Sequence, residues 1–158
     1  MTMILDASLI FDTGAAITST TLSTNVIDLS GFRDLGVDGG RYSVPKLMCL
    51  VTTAFVSTNA TLQASFQGST DNSTWTTYAS SAAVPAAALI AGARPFDLDL
   101  PRPPAGVAFP RYLRLLYTVG IGVFSAGAVT STLVLGREDH VVNGAYQSGY
   151  APGFTVSN

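Results

Sequence analysis

The strongest constraint on this chain is a period of two. From Phe96 to Leu100 large apolar side chains alternate with carboxylates, Phe96, Leu98 and Leu100 against Asp97 and Asp99. An extended backbone sends the three hydrophobes to one face and the two acids to the other, which marks a core side and a wet side. Thr61 to Gln67 repeats the device, with Leu62, Ala64 and Phe66 facing in and Thr61, Gln63, Ser65 and Gln67 facing out. Helical patterning is missing: no window of a dozen residues repeats apolar positions at three and four, and Ser and Thr supply about a fifth of the chain. Short alternating runs bounded by Gly, Pro, Asn and Asp recur at about ten-residue spacing, which predicts an all-β fold with the pattern of an antiparallel β-sandwich or jelly roll.

The runs can be placed along the chain. Lys46 to Phe55 is apolar at almost every position and reads as a central strand covered on both faces. Ser69 to Ser73 holds side chains that bond their own backbone, so it should turn the chain back through Thr74 to Tyr78 as a hairpin, with Trp75 as core anchor. In Arg111 to Val119, Leu113, Leu115, Tyr117 and Val119 share one face. Tyr112, Arg114, Leu116 and Thr118 share the other, which is too apolar to lie bare. Ala128 to Leu135, with Val129, Ser131, Leu133 and Leu135 on one side, forms a last strand, and its pairing with Arg111 to Val119 across the Gly120 to Gly127 turn gives a long hairpin. Ser8 to Phe11, Ala15 to Thr18 and Val26 to Leu29 are weaker strands, and Ala86 to Ala91 is a short strand or a single helical turn. Three prolines between Pro101 and Gly106 demand a surface loop.

Length and charge narrow the role. The 158 residues suit one domain, taken as 1–140, followed by an extension over 141–158. That extended C-terminal tail sets Tyr146, Tyr150 and Phe154 among Gly144, Gly149, Pro152 and Gly153, and reads either as an arm reaching to a neighbour or as a frayed end. With 47% hydrophobic residues the body is not disordered, and no stretch of about 18 apolar residues predicts a membrane span. The first fourteen residues lack a basic leader, so the chain is expected to be made and used without secretion. Only 11% of residues are charged, against roughly 25% in a typical domain, and the net charge is -2. A surface so sparse in charge favours a subunit covered by neighbours. One Lys and seven Arg spread along the chain cannot form a phosphate-binding stripe, which excludes nucleic acid as a partner.

Chemical sites are few. Asp97 and Asp99 suit a cation or an acid pair, but a solvated strand face is the stronger reading. Glu138-Asp139-His140 holds the only histidine without a nucleophile motif beside it, and reads as a charged strand end. Cys49, alone and in the most apolar run, permits no intrachain disulfide and behaves as a core residue. Gly36, Gly39 and Gly40 lack the strand-loop-helix context of a phosphate cradle and are turn glycines. Asn59-Ala60-Thr61 and Asn72-Ser73-Thr74 match the glycosylation pattern by chance. No catalytic, cofactor or metal residue is expected, and the chain is expected not to be an enzyme. Trp75 or Tyr78 would stack on a sugar if exposed, which keeps a jelly-roll carbohydrate-binding or host-recognition module as the alternative.

Several segments in order carry a resemblance. Met3-Ile4-Leu5-Asp6 with Leu9-Ile10-Phe11, Ser23 through Leu29, Arg33-Asp34-Leu35-Gly36, Pro85 through Ala93, Arg111 through Leu115 and Leu133-Val134-Leu135 resemble the Bordetella-phage type of capsid cement protein, from about residue 3 to 140. The resemblance implies a jelly-roll-like antiparallel β-sandwich, the fold of a minor capsid protein of tailed bacteriophages, also called a decoration protein. Such a protein lies outside the major capsid protein shell and reinforces it after expansion. It transfers fold and role but no catalytic residue, and this chain departs from it in the tail beyond His140 and the Pro-rich loop at 101–110. Domain 1–140 is then expected to bind the capsid. The expected partners are the major capsid protein and the chain itself as homodimer or homotrimer, with no nucleic acid and no membrane. The expected place is the capsid exterior of the virion, assembled in the host cytoplasm. Tyr112, Arg114 and Leu116, with Tyr146, Tyr150 and Phe154 of the tail, are the expected interface.

Overall fold

The computed structural model describes residues 6–30, 45–101, 103 and 105–134. In chain order the strands are β1 (Ile10–Ala16), β2 (Thr21–Leu22), β3 (Ile27–Asp28), β4 (Lys46–Val56), β5 (Thr61–Ser69), β6 (Thr76–Ser80), β7 (Val84–Pro85), β8 (Phe96–Asp99), β9 (Tyr112–Gly120) and β10 (Ala126–Val134). Two single 3-10 turns, Ala7–Leu9 and Ala86–Ala88, are the only helical pieces among the described residues. The first sheet runs β1-β10-β4-β8 and the second β2-β9-β5-β6, with β3 also on β9 and β7 also on β5. Every neighbouring pair is antiparallel. Counting β2 with β3 and β6 with β7 as broken single strands, the chain alternates between sheets in the jelly-roll order except at the β5–β6 hairpin, which stays within the second sheet.

Period two decides which side chains meet between the sheets. Leu47, Cys49 and Val51 of β4, Phe96 of β8 and Val129 and Leu133 of β10 face Leu62, Ala64 and Phe66 of β5 and Leu113, Leu115 and Tyr117 of β9 in one core. Each large side chain withdrawn in this way contributes about 1.5–3 kcal/mol. Gly68 is fixed by closeness: a Cβ there would stand 2.4 Å from the Tyr78 ring and 2.7 Å from Pro110.

Several expectations are corrected. β9 and β10 do not form a hairpin; they lie in different sheets, and residues 121–125 cross from one to the other. Phe124, buried in mid-link and edge-on to Phe55 at 4.7 Å, draws the link over the end of the core rather than back along its own sheet. Trp75 is not a core anchor. It precedes β6, is half-buried and sits outside the sandwich beneath Arg114, whereas Tyr78 turns inward to Phe66. The return strand of that hairpin is Thr76–Ser80 rather than Thr74 to Tyr78. Ser65 and Gln67 face away from the core as expected, yet they are buried by hydrogen-bonded neighbours on β6 and β9. β4 is covered on both faces only up to Val51; Thr52, Thr53 and Ala54 are exposed. Ile10 to Ala16 forms one strand where two weak ones were expected, and Ala86–Ala88 resolves as the helical turn. The Pro-rich segment is a loop with Phe109 84% exposed. Glu138, Asp139, His140, Gly36, Gly39 and Gly40 lie outside the described residues.

Candidate functional site

Three regions carry polar or unusual side chains. The first is the outer face of the second sheet, where register aligns Ser65 with Leu116 and Gln67 with Arg114. Arg114 Nε donates to Gln67 Oε1 at 2.8 Å, and Gln67 Nε2 donates to Thr77 Oγ1 at 3.1 Å. The Arg114 guanidinium carbon lies 3.9 Å from the centre of the Trp75 ring, a cation-π contact contributing about 1 kcal/mol. Leu22 of β2 pairs with Leu116, and Ser65 and Ser80 share a hydrogen bond of 2.8 Å. At the rim, Arg111 grips both oxygens of Asp28 at 2.8 and 3.0 Å and covers Tyr112. That guanidinium holds the Asp28 carboxyl below its usual range. Tyr112, Arg114 and Leu116 are thus brought together as expected, all half-buried. Tyr146, Tyr150 and Phe154 lie outside the described residues.

The second region is inside the sandwich and was not foreseen. Asp12, fully buried, accepts from the Thr24 amide at 2.7 Å and from the Tyr117 hydroxyl at 2.6 Å. With that proton given to Asp12, Tyr117 accepts from Ser131 at 2.7 Å. Burial drives the Tyr117 hydroxyl well above its ordinary pKa, and burial pushes the neighbouring Cys49 thiol up to about 12 against the hydrogen bond of Ser131. These groups bind the two sheets to each other and are sealed from solvent, so they offer no reacting surface. The only signal in the sequence was a carboxylate directly after the apolar run Leu9-Ile10-Phe11.

The third region is the end of the sandwich where β1, β4, β7 and β9 hand over to the opposite sheet. Val56, Ile90, Ile121 and Val123 are exposed there, and Ile121 has φ 63°. The acids weighed earlier do not converge: Asp99 pairs with Lys46 at 3.4 Å and Asp97 with Arg94 at 3.7 Å. Among the described residues no cluster of three His, Cys, Asp or Glu side chains suits a metal ion.

In comparison with known proteins, a family model described as Bbp16 matches residues 11–133, a span that takes in both sheets. No curated protein matches the chain.

Proposed function

Because the chain belongs to the Bbp16 family, whose name points to a Bordetella phage protein, we propose that it is a structural virion protein that binds the outer surface of a phage capsid shell. There it cements contacts between major capsid protein subunits and performs no catalysis. The observation that carries this reading is the outer face of the second sheet: serine, threonine and glutamine side chains, Trp75, Leu22 and Leu116, with its two guanidiniums already engaged, Arg114 by Gln67 and Trp75 and Arg111 at the rim by Asp28. Such a face associates without stripping water from unpaired ions, and many modest contacts add when one subunit spans several shell subunits. Self-association as dimer or trimer belongs to the same proposal. For the alternative, Arg114 already occupies one face of the Trp75 ring, so a sugar stacking on that face would have to displace it.

The test is compositional. Purified particles should contain the chain in a simple ratio to the major shell protein, and shells lacking it should rupture at lower temperature. A chain recovered only free of particles overturns the reading, and specific retention on a glycan array by the wild type but not Trp75→Ala would favour the alternative.

A further inference from the structure

Four links cross between the sheets at one end of the sandwich, residues 17–20, 57–60, 86–95 and 121–125, and the one charged side chain among them, Arg94, is drawn back along β8, largely buried and paired with Asp97 at 3.7 Å. Hydrogen bonds join them into one surface: Phe124 N donates to Thr18 O, Ser125 N to Val56 O, and Phe55 N to Leu89 O. On it Ile121 is 76% exposed, Val123 68%, Ile90 58% and Val56 54%. The other charged side chains among the described residues lie elsewhere, at the opposite end near Asp28, Lys46, Asp71, Asp99 and Arg111 or midway along the strands. Ile121 bears a second penalty. Its φ of 63° is a left-handed conformation that a β-branched side chain resists, and glycines stand on both sides of it. A strained backbone thus holds a large hydrophobe out into water at the tip of the molecule.

We propose that this uncharged end is a docking tip, and that its occupant is a recess of the shell protein lined by apolar and hydroxyl side chains and free of ionised groups. The inference rests on the capsid reading above and adds where the contact is made. An ion on the partner would find no counter-charge at this end and would lose its water uncompensated. A second copy of the chain fits less well. The four side chains offer on the order of 300 Å² of apolar surface, against about 800 Å² per partner in a stable pair. An anchor of that size holds only as one of several, which a shell lattice supplies through high effective concentration.

Shells assembled without the chain are mixed with full-length wild type and with a double variant Ile121→Asn and Val123→Ser. Asn tolerates the left-handed conformation, so the double variant should melt within a few degrees of wild type. Its occupancy on shells should fall at least tenfold, and sulfate should strengthen rather than weaken wild-type retention. Unchanged occupancy of the double variant beside bound wild type overturns the tip while leaving the capsid reading standing. Loss of wild-type self-association in the double variant would make a second copy the occupant and overturn the proposal. Wild type that fails to bind shells brings down both readings.

Discussion

Single side chains set the interior of this protein. Removing the Tyr117 hydroxyl leaves the buried Asp12 carboxylate with the Thr24 amide alone and takes one partner from Ser131. Tyr117→Phe should therefore lower stability by about 2–3 kcal/mol, read from denaturant midpoints. Cys49, held neutral by burial, should resist thiol reagents at pH 8 until the protein unfolds. Stability tied to that thiol is full below its ordinary value near 9 and is lost as pH rises toward about 12. At the turn after β5, Asp71 Oδ1 accepts from the Ser73 and Thr74 amides and the Ser69 hydroxyl, and these donors hold its carboxyl far below the usual range. Its stabilising effect is present above pH 3.8 and fades only in stronger acid. Asp71→Asn should flatten the fall of melting temperature with pH in that acid range. Tyr117 was legible as in-facing from alternation alone. The burial of Asp12 was not, because its partner is 105 residues away and local pattern carries no trace of that contact.

Among strands, what alternation could specify was which face of each run is buried; what it could not specify was partnership. Leu62, Ala64 and Phe66, or Phe96 and Leu98, pack inward because a period of two leaves no other choice. The supposed β9–β10 hairpin failed because five residues suit either a hairpin loop or a crossing, and Phe124 decides for the crossing by filling the end of the core. Trp75 misled for a related reason: size argued for the core, while Arg114 of another strand offered a flat cation outside it. β10 depends on one close approach. Gly127 has φ 148°, and a Cβ there would lie 2.3 Å from the Phe55 ring. Gly127→Ala should destabilise the fold by about 2–3 kcal/mol and lower its melting temperature. Gly68→Ala should do the same through Tyr78 and Pro110.

On the scale of the whole molecule, the class, a β-sandwich or jelly roll, was readable from short strands and turn residues, whereas the strand order was not. The candidate interface was readable only in part, since Tyr112, Arg114 and Leu116 do share a face while the crossing end owes its exposure to four links far apart in sequence. Ile121→Gly should raise stability by about 1 kcal/mol by relieving the left-handed strain, measured by thermal unfolding, while weakening retention on shells. The separation of charge along the strands has a further consequence, because a body that carries its charge toward one end and an uncharged apolar tip at the other is a surfactant, even with Phe109 exposed at the charged end. Spread at an air–water boundary, it should lower surface tension and stand upright with the Ile121 tip in the air. The double variant at 121 and 123 should lie flat or return to the bulk.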